Sequence, residues 1–124
     1  MDQPYFQTTI GTIVKALPEA VLPDDAKAMF AFGQPGVLAQ ALRKAGFAKV
    51  EETFPVLPWT WPGPPEEVWE YFQEVTVPFA PLLKSIPPER RAELDAEALA
   101  AIARLYDGRE IRFTASANIS CATK

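Results

Sequence analysis

The 124 residues, 48% of them hydrophobic, suffice for one core but scarcely for two, so a single domain is expected over 1–124. Sixteen acidic against twelve basic side chains give a net charge of −4, and the scattered Lys and Arg argue against a nucleic-acid binder, whose phosphate contacts need concentrated positive charge. No apolar run reaches membrane-spanning length, no basic start leads into an apolar segment, and the lone Cys121 fits a reducing compartment, so a cytoplasmic protein without a disulfide scaffold is expected.

Phe6, Ile10, Ile13, Val14 and Leu17 recur at helical spacing and are stopped by Pro18, which predicts a first amphipathic helix, weakened slightly by Gly11. Residues 18–36 form a connector punctuated by Pro18, Pro23, Asp24, Asp25, Gly33 and Pro35; its stretch 26–32 reads equally as a helical turn or an extended piece. A second helix opens after Pro35 with Val37, Leu38, Ala41, Leu42 and Ala45 on one face. Gly46 closes it in the left-handed conformation, Phe47 packs back over its end, and the chain then reads as extended over 49–57. Pro55, Pro58, Pro62, Pro64 and Pro65 next crowd together with Trp59 and Trp61, in a segment that cannot be a central strand.

A third helix is expected from Pro65, Glu66 and Glu67, where proline and acidic residues suit the positive end of the helix dipole, with Val68, Phe72, Val75 and Phe79 along its face. Pro78 and Pro81 kink or end it, leaving 82–86 as a separate turn. A fourth helix opens at Pro88 and Glu89, lines Leu94, Ala98, Ala101, Ile102 and Leu105 on one side, and stops at Asp107 and Gly108. From Glu110 the chain alternates strictly, with Ile111, Phe113, Ala115, Ala117, Ile119 and Cys121 on one face and Arg112, Thr114, Ser116, Asn118 and Ser120 on the other, which predicts one strand. The sum is an α+β unit of about four helices with two antiparallel strands.

The run from Pro35 to Glu52, with Leu42-Arg-Lys-Ala-Gly-Phe47 at its heart, resembles the helix and following strand near the C-terminal end of class I S-adenosylmethionine-dependent methyltransferases, of the quinone-biosynthesis-like type 11 branch. Gln3-Pro-Tyr-Phe6 resembles the segment that follows the fifth sheet strand in that family, and Phe30-Ala-Phe-Gly-Gln-Pro-Gly36 its lead-in to the helix. The resemblance implies a fragment of an α/β Rossmann-like fold, with a helical insertion over about 62–107 and a closing antiparallel strand inside the sheet. The family's cofactor half is not seen: the six glycines are scattered and none forms a G-x-G cluster between strand and helix. S-adenosylmethionine is therefore the cofactor of the related full-length enzymes, and none is expected for this chain alone.

Candidate chemistry is sparse. The absence of histidine removes the commonest general base and the commonest zinc ligand, so no catalytic, cofactor-binding or metal-ligating residue is assigned. Cys121 reads as a packed thiol on the apolar face of the last strand, and Asp24-Asp25 and Glu66-Glu67 as turn and helix-start residues. The aromatic group Trp59, Trp61, Trp69, Tyr71 and Phe72 either walls a cleft for a flat apolar substrate or serves as core or dimer contact, and Tyr5 and Phe6 share that reading. In the family resembled, the corresponding insertion commonly covers the substrate pocket.

Two function classes follow. One is the substrate-side part of a small-molecule methyltransferase, inactive as an isolated chain. The other is a noncatalytic, dimeric α+β module that binds a hydrophobic ligand or partner. If the family's antiparallel pairing carries over, one sheet edge beside an apolar face is open and invites a second copy of the chain, so a homodimer is expected; the alternative is that the missing half covers that edge in the parent protein.

Overall fold

The computed structural model describes residues 3–124 and belongs to the α+β class. Among the described residues there are seven α-helices, one 3-10 helix and four strands, more pieces than the four helices and two strands expected. No helix among them is long and apolar enough to cross a membrane.

Strands β1 (Ala48–Thr53) and β2 (Val56–Trp61) follow one another along one arm of the chain, β3 (Ile111–Ser116) and β4 (Ile119–Thr123) along another. β2 pairs antiparallel with β3, and β1 with β4. The register is common to both pairs: Trp61 lies opposite Ile111, Val56 opposite Ser116, Thr53 opposite Ile119 and Glu51 opposite Cys121. The two small sheets are thus halves of one ribbon, parted where Phe54 and Pro55 face Ala117 and Asn118. Pro55 has no N–H to give, so a rung is lost there, while its carbonyl still accepts the Ala117 N–H at 3.1 Å. Near the far end a register shift between Ala48 and Glu51 marks a bulge, with Lys49 at a φ of 45°.

Bonded and non-bonded positions alternate along an antiparallel ladder, so the Pro55–Ala117 bond makes Leu57, Trp59 and Trp61 the bonded positions. Pro58 then turns its missing N–H outward, away from β3, and loses nothing. A proline-rich segment can therefore be a strand here because β2 has only one neighbour. The final alternating run is also two strands rather than one, and its phase inverts at the break. Ile111 and Phe113 are buried, whereas Ile119 is 49% exposed and Cys121 is exposed, so the thiol is not the packed one expected.

The first amphipathic stretch is likewise two helices, α1 (Pro4–Thr8) and α2 (Ile10–Ala16), broken at Thr9. The Thr9 hydroxyl donates to the Tyr5 carbonyl at 2.6 Å and that of Thr8 to Pro4 at 2.8 Å, local bonds that compete with the helix. In the connector, Asp24–Ala28 form the short helix α3. Helix α4 (Val37–Lys44) ends as expected: Gly46 has a φ of 89° and the Phe47 N–H reaches back to the Leu42 carbonyl at 3.1 Å. Its inward side is centred on Ala39, while Val37 and Ala45 are exposed.

Helix α5 (Pro65–Val75) starts at the expected proline, but the 3-10 helix Val77–Phe79 and α6 (Ala80–Lys84) take over its last turn, leaving Val75 47% exposed. Helix α7 (Pro88–Ala103) buries Leu94, Ala98 and Ile102 completely. A turn closed by Asp107, whose carboxylate accepts the N–H groups of Arg109 and Glu110 at 2.9 Å, leads into β3. One core joins the inner face of β2–β3 to α1, α2, α5, α6 and α7, with Ile13, Val68, Phe72, Phe79, Leu94 and Ile111 at its centre. Helix α4 instead packs on the outer half of the ribbon, β1 and β4. It is tied down by Glu52, whose carboxylate accepts the Gly36 N–H at 2.6 Å and the Asn118 amide at 2.9 Å.

Candidate functional site

Tyr5 lies where α1 meets the ribbon, and its ring makes edge-on contacts with Phe6, Trp59, Phe72 and Phe113, with centroids 4.6–5.9 Å away. Trp59 in turn stacks on Phe113, its cross-strand partner, at 5.1 Å. Beside this group opens a cleft of about 380 Å³, walled by Tyr5, Phe6, Met29, Trp59, Tyr71 and Val75. Five pieces of chain build it: α1, the end of α3, β2, β3 through Ala115, and the run from the C-terminal part of α5 to Pro78. Gln3 and Thr76 add polar atoms, and no charged side chain takes part.

The cleft's unusual atom is the Tyr5 hydroxyl. It is fully enclosed by protein, and it forms no hydrogen bond of proper geometry. Burial pushes the phenol up to about 12 from 10.0; the nearby Thr76 hydroxyl offsets this only in part, and Tyr71 adds to the rise. Leaving such a group unpaired would cost about 1–3 kcal/mol, and the Thr76 hydroxyl is the neighbour placed to satisfy it.

The six residues expected to touch substrate separate into three positions. Tyr5, Phe6 and Trp59 line the cleft together. Trp61 stands behind it, with its ring on Tyr71 at 4.9 Å and its indole N–H donating to Glu67 at 3.3 Å. Trp69 and Phe72 lie in the core, stacked on each other at 5.6 Å, and the Trp69 N–H donates to Asp95 at 3.1 Å. Arg91 holds the same carboxylate from 2.9 Å and also reaches the Gln73 amide oxygen, so this pair serves the α5–α7 joint. Met29, Val75 and Thr76 were missed by sequence reasoning. Only the break after the aromatic helix, at Thr76-Val-Pro78, hinted that this end faces a gap.

Chemically the cleft can bind and orient, and it offers no general base. Among the described residues no group of three His, Cys, Asp or Glu side chains could hold a metal. A slightly larger hollow of about 400 Å³ lies between Pro23, Pro81 and Pro87, walled by aliphatic residues together with Glu19 and Ser85, and without a buried unpaired polar atom. No protein family, curated protein or solved structure matches this chain.

Proposed function

We propose that the chain is the substrate-side, C-terminal part of an S-adenosylmethionine-dependent methyltransferase acting on a small molecule, with the aromatic cleft holding the methyl acceptor. The observation that carries this reading is the ribbon. The strand after Gly46-Phe47 pairs antiparallel with the closing strand across the helices α5–α7, the order and direction that the resemblance implies. The described residues do not themselves fit S-adenosylmethionine. Their strand-to-helix turn between β2 and α5 runs Pro62-Gly-Pro-Pro65, short of free N–H groups, and it carries Glu66 and Glu67 where a nucleotide would need backbone donors. The cofactor site is accordingly assigned to a segment outside these residues, and the isolated chain is inactive. Its part in catalysis is to hold the acceptor in orientation.

The second reading, a noncatalytic dimeric α+β module that binds a hydrophobic ligand, is favoured by the closed core beneath β2–β3. Calorimetric titration with S-adenosylmethionine and S-adenosylhomocysteine, together with the coding sequence upstream of Met1, separates the two. Silence in the calorimeter and an upstream strand, glycine-rich turn and helix are expected. Saturable heat would move the cofactor site into this chain, and an upstream frame without that unit would leave the noncatalytic module.

A further inference from the structure

Tyr71 and Val75, 40% and 47% exposed, stand one turn apart on α5 and wall the open side of the cleft, with Pro78 just beyond them. The C-terminal end of α5 therefore lies at the cleft wall, and with it the negative end of the helix dipole, equivalent to about half an elementary charge. Nothing in the chain offsets that end. The Thr76 N–H donates to the Phe72 carbonyl at 3.1 Å, but Pro78 has no N–H to offer Glu74, and among the described residues the carbonyls of Gln73, Glu74 and Val75 receive no backbone donor. The last turn carries no basic residue. Between Lys49 and Lys84 the chain has no Lys or Arg, while Glu66, Glu67, Glu70 and Glu74 on α5 are all exposed and enter no ion pair among the described residues. On α3, the basic Lys27 is already held by Asp24 at 3.0 Å.

We propose that the cleft binds an organic cation, a molecule with a flat apolar body and one ammonium group. The body lies against Phe6, Met29 and Trp59, and the charge sits on the open side, between the Tyr71 ring and the end of α5. The inference rests on the reading of the cleft as the substrate pocket and adds the substrate's charge class. Each part of this wall favours the positive sign: an aromatic face attracts a cation through its quadrupole, the open carbonyls accept ammonium N–H groups, and the glutamates of α5 draw cations toward the cleft. On the open side the ammonium keeps part of its water, so the full cost of burying a charge does not arise. An anion meets the same field with the sign reversed and finds no counter-charge in the walls.

Three naphthalene probes of similar size test this on the full chain by NMR at low ionic strength: naphthylmethylammonium, naphthylmethanol and naphthoate. Saturable shifts of the Trp59 indole and the Phe6 and Thr76 amides are expected, with the ammonium about three- to tenfold tighter than the alcohol and the carboxylate weakest. In the wild-type chain, raising the salt to about 0.5 M should shrink the ammonium's advantage and leave the alcohol unchanged. Glu74→Lys should fold, because the side chain is exposed and unpaired, and by placing a cation in the last turn of α5 it should bring the ammonium to the alcohol's affinity or below. Equal affinity for ammonium and alcohol, an ammonium advantage that survives Glu74→Lys or is indifferent to salt, or tightest binding of the carboxylate overturns the inference and leaves the pocket standing. No saturable shift with any of the three overturns both.

Discussion

A phenol buried away from water titrates late, and for Tyr5 the consequence can be read directly. Its folded pKa lies near 12 against 10.0 for the ordinary side chain, so between those values the folded protein keeps a proton that the unfolded chain has lost. Stability from this source is complete below pH 10 and falls as pH rises toward 12. Ultraviolet titration should show one of the three tyrosines ionising near pH 12. Tyr5→Phe should remove that late step and flatten the alkaline limb of the stability curve. Glu52 has the opposite sign. Its bond from Asn118, then that from the Gly36 N–H, lower its pKa below 4.5, so its contribution is present above that value and is lost as pH falls through the lower folded one. Glu52→Gln should therefore unfold less steeply in acid than the wild type, as followed by circular dichroism. Cys121, on the exposed side of β4, should react stoichiometrically with a thiol reagent in the absence of denaturant.

Whole elements follow the same logic with larger stakes. Leu94 is completely enclosed on α7, and Leu94→Ala should cost about 2–5 kcal/mol in urea unfolding, a large share of the roughly 5–15 kcal/mol available to a domain. Gly46→Ala places a side chain at a φ of 89° and should cost about 1–2 kcal/mol, with α4 fraying first. Helices α4, α5 and α7 and strand β3 were legible in the sequence because their evidence is local: a periodic apolar face, a proline or acidic start, a glycine stop. What could not be read was set at a distance. The break at Thr9 depends on side-chain bonds to Tyr5, and the strand at Pro58 depends on which edge of β2 is open. The inverted phase at Ile119 depends on where the ribbon leaves the core. The cleft was half legible for the same reason: aromatic side chains announced a wall, whereas Met29 and Thr76 joined it only because α3 packs on the 3-10 helix that follows α5.

Across the molecule, stability is unevenly shared. The inner half of the ribbon lies on the core, and the outer half carries only α4, so amides of β1, β4 and α4 should exchange with solvent well before those of β2, β3 and α7. Both long edges of the ribbon are unpaired among the described residues, and Val56 and Leu57 stand 65% and 47% exposed on one of them. We propose self-association through that edge. Sedimentation should give about twice the 13.7 kDa of one chain, and Val56→Lys with Leu57→Lys should return the monomer. The single register of the ribbon also prescribes an order of assembly. Trp61 and Ile111 are far apart in sequence, so their meeting waits on α5 and α7, whose formation draws the two ends of residues 62–110 together. Once that first pair has met, each further pair closes the smallest possible loop, and the strands zip from the core outward until Pro55 interrupts them. Pulsed hydrogen labelling during refolding should find Phe113 protected before Cys121, and the helices that carry the cleft would thereby act as the clasp that starts the sheet.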